Sequence, residues 1–268
     1  GVQFGTVVTL PVSGWLCATN FLGGWPSVFY IFGGLGLVWG VFWFWLVRND
    51  PQEHPRISAP DNNMCTLRIN ILFYIYQEIQ PIPWKAIFTS KYFWVISIMH
   101  FGNNWGFYTL LSELPTYLDQ ILHINIKNNG MLSALPYLGT WLFSFLFSFT
   151  SHRLLNRGHI TILSIRRWAM IIGGYGPMLC LLALCFVNCH SYWAFAFLIL
   201  SGTANGGVYS GYMCSHADIS PRFAGTLMGL TNTIATIPGF LGPTVTGALT
   251  QDNVSSNAWN RTHLVMSI

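Results

Sequence analysis

Apolar residues run along this chain in stretches of about twenty, near 27–47, 92–112, 130–150, 168–187 and 192–212. Two stretches rich in Gly and Pro, near 3–22 and 226–250, stand beside them. A helix of about twenty apolar residues matches the hydrocarbon thickness of a bilayer and satisfies its own backbone there. The pattern predicts seven membrane-spanning helices, with an eighth beginning near Leu264. Gly5, Pro11 and Gly14 in the first stretch and Pro238, Gly239, Gly242 and Pro243 in the last favour close helix approach and local breaks. Residues 61–80 fit less well. Their apolar run, Ile69 to Tyr76, is too short to cross a bilayer and reads as an interfacial helix or a misjudged boundary.

Composition agrees with this pattern. Only 7% of the 268 residues are charged and 52% are hydrophobic, whereas an average soluble domain is roughly 25% charged. The expected class is an all-α, polytopic membrane protein. Arg48, Arg56, Arg68, Lys85 and Lys91 fall between the second and third spans. Arg153, Arg157, Arg166 and Arg167 fall between the fourth and fifth, and Arg222 between the sixth and seventh. These are alternate loops, so all lie on one side, which the bias of basic residues makes cytoplasmic. Lys127 and Arg261 lie on the other. Two glycosylation sequons, at Asn253 and Asn260, also fall in a loop that the charges place outside. Residue 1 is Gly and no charged region precedes the first apolar stretch, as expected for the interior of a longer chain.

The six cysteines are scattered, without CxxC or His/Cys metal spacing, so no metal site is expected. Phosphate-cradling glycine motifs, paired catalytic carboxylates and a nucleophile elbow are also missing, so enzyme chemistry is not expected. The basic residues form no soluble patch that would suit nucleic acid.

Polar side chains at membrane depth are costly and often mark a solute path. His100, Asn104 and Tyr108 recur at four-residue spacing on one helical face, with Asn103 beside them. Such a face offers hydrogen bonds to a polar solute, and His100 could carry a proton. Its alternative use is to fasten helices together. Asn232, ahead of Pro238, and Tyr137, after Pro136, are further candidates. Asn205 among Gly202, Gly206 and Gly207 reads instead as close helix packing. At the cytoplasmic ends, His152, Arg153 and Arg157, and His216, Asp218 and Arg222, are candidate gating clasps or simple topological charge.

Several motifs together resemble the anion:cation symporters of the major facilitator superfamily, the group of sialin, vesicular glutamate and type I sodium–phosphate transporters. They include the segment from Gly5 to Gly14, Gly24 to Gly33, Asp50 to Ser58, Asn104 to Leu111, Glu113 to Tyr117 and Ser133 to Tyr137. His216 to Pro221 and Asn232 to Gly239 complete the set. The resemblance implies two six-helix bundles around a central site. This chain would then supply about helices five to eleven and the start of twelve. It would divide into 1–47 from the first bundle, a central cytoplasmic loop at 48–91, and most of the second bundle at 92–268. Asn103 stands where vesicular glutamate transporters carry an arginine, so the sialin-like members are the nearer match. His152 stands where an acid is usual, and Ser215 where an asparagine is usual.

The function this implies is a proton-coupled symporter of organic anions such as sialic or hexuronic acids, working by alternating access. Asn103, Asn104, Tyr108, Tyr137 and Asn232 would contact the substrate and His100 would serve proton coupling. A sodium-coupled phosphate or other anion cotransporter is the alternative, and a truncated, non-transporting product is a third reading. A seven-helix receptor is disfavoured because charge places the start of this chain inside the cell. The expected partners are a small anionic solute and the bilayer, with no nucleic acid, no cofactor beyond coupling H+ or Na+, and a monomeric state. The plasma membrane and a lysosomal or vesicular membrane both fit.

Overall fold

The computed structural model describes residues 2–19, 21–47, 81–121, 124–187, 191–250 and 256–266. Among these, regular structure is entirely helical. The chain divides into two units, one of Gly1–Gly24 with Trp84–Ile268 and one of Trp25–Pro83.

The smaller unit contributes α2 (Pro26–Leu46), which starts on a proline and ends where Val47 turns extended. At 1.5 Å per residue its 21 residues reach about 32 Å, the depth of the hydrocarbon core. Ring pairs Trp25–Phe29 and Trp39–Trp43 each join residues one turn apart, one pair near the start of α2 and one near its end.

The larger unit begins with α1 (Val2–Ala18). It continues with α3 (Trp84–Thr89), α4 (Lys91–Gln120) and α5 (Ile126–Asn156). α6 (Ile162–Met170) passes through a π turn at Ile171–Tyr175 into α7 (Gly176–Leu184). Pro177 follows that wide turn, which absorbs the hydrogen bond a proline cannot make. α8 (Ser191–Asn205) tightens into a 3-10 turn at Gly206–Tyr209 before α9 (Tyr212–Ile219). α10 (Ala224–Thr236), α11 (Pro238–Thr250) and α12 (Ser256–Met266) follow. Side-chain caps start two of these helices. Asn125 accepts from the Asn128 amide at α5, and Thr161 from the Ser164 amide at α6.

Small residues decide how the helices pack. α5 runs between α1 and α8. At its contact with α1, a Cβ on Gly130 would stand 2.6 Å from the Leu10 carbonyl oxygen. At its contact with α8, a Cβ on Gly202 would stand 2.6 Å from Pro136 Cβ, and one on Gly206 2.6 Å from the Thr140 carbonyl oxygen. α4 packs against α10 and α11, and α7 against α8. Leu114, Tyr117 and Leu118 of α4 meet Leu181 and Leu184 of α7, Ala194 and Leu198 of α8, and Trp259 of α12 in the main apolar core.

All seven expected spans are helical, with adjusted limits. Three segments (Pro26–Leu46, Asn128–Asn156 and Ile162–Leu184) are each long and apolar enough to cross a membrane. The span expected at 92–112 extends to Gln120. That at 226–250 is two helices meeting at Pro238, and that at 192–212 loosens at Gly206. The eighth helix starts at Ser256, before Leu264. The segment 61–80 lies outside the described residues.

Candidate functional site

α4 carries the polar face read from the sequence, and its neighbours show what that face meets. His100 Nδ1 lies 3.2 Å from Thr231 Oγ1 of α10. One turn on, Asn104 Nδ2 donates to the Ala235 carbonyl oxygen at 2.8 Å, three residues before Pro238 breaks the helix. Another turn on, the Tyr108 ring packs where a Cβ on Gly239 would stand 3.6 Å away. These three residues therefore climb the seam between α4 and the broken α10–α11 pair. His100 and Asn104 are buried, and both make interhelical hydrogen bonds. A neighbouring helix that hydrogen-bonds the backbone beside a proline break is how membrane helices tolerate one.

Asn103 points away from that seam. Its Oδ1 accepts from Asn205 Nδ2 at 2.8 Å, so Asn205 cross-links α8 to α4 in addition to lying in a small-residue contact. Both asparagines line a cavity of about 300 Å³ bounded by α4, α5, the α6–α7 segment, α8 and α9. Tyr137, Thr140, Tyr175, Ser201 and Tyr212 supply the rest of its polar wall. The remainder is apolar or glycine, with Gly102, Gly106 and Gly174 facing open space. The Tyr137, Ser201 and Tyr212 hydroxyls are buried without a hydrogen-bond partner among the described residues. Tyr212 lies near the Asn103 amide without reaching hydrogen-bond geometry. Among the described residues, those lining the cavity include no Asp, Glu, Lys or Arg. This wall can hydrogen-bond a neutral polar group but brings no charge to an anion. Ser201 and Tyr212 were not singled out from the sequence, because a lone hydroxyl in an apolar run has no pattern around it.

Asn232 lies apart from the cavity, on an exposed face of α10, where its carbonyl accepts from Thr236 Oγ1 at 2.8 Å. Among the cytoplasmic candidates, Asp218 pairs with Arg166, Nε to Oδ2 at 2.8 Å, and the same guanidinium donates to the Ser210 carbonyl at 2.7 Å. The sequence reading counted Arg166 only as topological charge; its span was too far from Asp218 in the chain to suggest a pairing. His152 contacts Asn156 on its own helix, and Arg153 lies 4.3 Å from the centroid of the Phe149 ring. Arg157 caps α5, and Arg222 lies over the Phe223 ring. His216 turns inward, with Nε2 2.8 Å from Thr231 Oγ1. Asn253 lies outside the described residues. The second sequon falls within α12, and its Thr262 is buried.

Residues 1–243 match the Major Facilitator Superfamily family model. The chain belongs to the major facilitator superfamily. As a member it is an integral membrane protein, and its helices form part of that fold. Human sialin is 42% identical over 255 residues, covering 94% of this chain and 50% of that protein. Sheep sialin is 40% identical over 253 residues, with the same coverage of each. The sodium-dependent phosphate transport protein 1 of rat is 30% identical over 267 residues, 100% of this chain and 56% of that protein. The chain spans about half the length of the curated relatives it matches. The rat relative is a transport protein by name.

Proposed function

We propose that this chain belongs to a secondary active transporter that moves an organic anion, such as a sialic or hexuronic acid, together with protons. The bundles of such a protein rock about a midplane site to give alternating access. The observation that carries the reading is the 42% identity to human sialin along 94% of the chain. The uncharged, hydroxyl-bearing wall around Asn103 and Tyr137 supports it, because a sugar acid has a neutral hydroxylated body as well as a carboxylate. On this reading Asn103 and Tyr137 orient that body from the cavity wall, Asn104 and Tyr108 hold the adjoining helix seam, His100 takes part in proton coupling, and the carboxylate is met by helices outside this chain. His152, Arg153, Arg157, His216, Asp218 and Arg222 belong to the cytoplasmic gate. The membrane is lysosomal or plasma, and the working unit is a monomer.

The deciding experiment is uptake of labelled sialic acid and of labelled phosphate by vesicles holding the full-length protein. Acid-driven uptake of the sugar acid, unaffected by sodium, is the expected result. Sodium-driven phosphate uptake with no sugar-acid uptake would favour the second reading, for which the rat phosphate transport protein is the supporting relative. Uptake of neither would favour a non-transporting product.

A further inference from the structure

Two buried imidazoles from different helices meet on one hydroxyl. His100 of α4 brings Nδ1 to 3.2 Å from Thr231 Oγ1, and His216 of α9 brings Nε2 to 2.8 Å from the same oxygen. All three side chains are buried, with 1%, 1% and 3% of the His100, Thr231 and His216 surfaces exposed. The imidazole centroids are 6.3 Å apart.

The donors and acceptors leave few arrangements. His216 Nδ1 lies 3.1 Å from the Met213 carbonyl, which can only accept, so Nδ1 carries a hydrogen. In neutral His216 the remaining nitrogen, Nε2, is then an acceptor, and the Thr231 hydroxyl, which also lies 3.2 Å from the Met228 carbonyl oxygen of its own helix, directs its proton to the nearer Nε2 at 2.8 Å. With its hydrogen committed, Thr231 Oγ1 accepts from His100, which places a hydrogen on His100 Nδ1. The result is a directed chain: His100 N–H to Thr231 O–H to His216 Nε2, ending in His216 N–H to the Met213 carbonyl.

We propose that His100, Thr231 and His216 form one relay that holds a single proton and passes its charge between α4 and α9. A proton bound at His100 Nε2 makes that ring cationic. Its Nδ1–H bond breaks as a Thr231 O–H bond forms, and the original Thr231 O–H bond breaks as a His216 Nε2–H bond forms. Charge moves from His100 to His216 with every atom conserved and no heavy atom displaced. Two charges at this separation repel, so the pair holds one proton at a time. Among the described residues, the ionisable groups facing His100 are Tyr212, its ring 5.3 Å away, and His216, both on α9. α10 presents the Thr231 hydroxyl to both rings. Two residues beyond His216, Asp218 is turned to Arg166 of α6. α9 ends at Ile219, in the loop whose basic neighbour Arg222 marks it as cytoplasmic, so His216 is the end of the relay nearer that side. Use of the relay in transport rests on the proton-coupled reading above; its existence does not.

The test is a pH titration of the full-length protein, labelled with nitrogen-15 histidine and followed by NMR in nanodiscs. The His100 and His216 signals are assigned by single substitution. H100Q is expected to move the His216 midpoint by roughly 0.5–2 pH units, the effect of a unit charge about 6 Å away. T231V keeps both imidazoles but is expected to change the tautomer signature of His100, and T231S to restore it. A His216 midpoint indifferent to H100Q, or a His100 signature indifferent to T231V, would overturn the relay. Proton-driven uptake is then compared in T231V and T231S, with a shifted pH profile expected in T231V alone. Coupled imidazoles in a protein whose wild-type uptake ignores the pH gradient would leave the relay standing and refute the proton-symport reading.

Discussion

Replacing Gly202 by alanine tests whether backbone contact between α5 and α8 organises the larger unit. The added Cβ would lie 2.6 Å from Pro136 Cβ, 2.7 Å from the Pro136 carbonyl oxygen and 2.9 Å from Pro136 Cα. None of these is the end of a flexible side chain, so the helices must separate. Overpacking of this kind costs about 2 kcal/mol. Separation also weakens the bond from Thr140 Oγ1 to the Gly202 carbonyl oxygen, now 2.6 Å, worth about 1 kcal/mol. Alanine's better helix propensity returns about 1 kcal/mol. The net loss is about 2 kcal/mol, a roughly thirtyfold change in the unfolding equilibrium. For a domain of about 150–250 residues it corresponds to a fall of about 4–8 °C in Tm, and to a smaller fall in a longer full-length protein. Gly239→Ala is the control, since its Cβ would make an ordinary contact with the Tyr108 ring at 3.6 Å. Thermal unfolding of the purified full-length protein in detergent, followed by intrinsic fluorescence, gives both values. A G202A protein as stable as wild type, or no less stable than G239A, would refute the close-approach argument.

Asn104→Leu removes the donor to the Ala235 carbonyl oxygen beside the proline break and is expected to cost about 1–3 kcal/mol in the same assay. The Arg166–Asp218 side chains are 24% and 43% exposed, so a double-mutant cycle on R166Q and D218N is expected to give a coupling of about 1 kcal/mol or less that weakens with salt. R166Q alone should cost more than D218N alone, because it also gives up the bond to the Ser210 carbonyl. For glycosylation, Asn253→Gln is expected to raise gel mobility in the way deglycosylation does, while Asn260→Gln leaves it unchanged. The reason is that the second sequon lies in α12 with Thr262 buried, whereas acceptor sequons occupy surface loops.

Hydropathy by itself determined that this chain is built of membrane-spanning helices and roughly where they fall. Those properties follow from the energetics of single segments in a bilayer, which each stretch of sequence carries in full. Gly202, Gly206 and Gly207 were also legible as packing residues, because a glycine needs no knowledge of its partner to permit close approach. The partners themselves were not legible. His100, Asn104 and Tyr108 shared a face by helical spacing alone, but only the tertiary structure showed that this face meets Thr231, Ala235 and Gly239 while Asn103 turns to Asn205. Arg166 and Asp218 stand 52 residues apart, and no local pattern links them. His216 read as a cytoplasmic charge until the fold turned its ring onto the hydroxyl that His100 also reaches. A hydrogen bond between helices depends on where two separate segments lie in space. Local sequence fixes each segment's conformation and leaves that juxtaposition to packing.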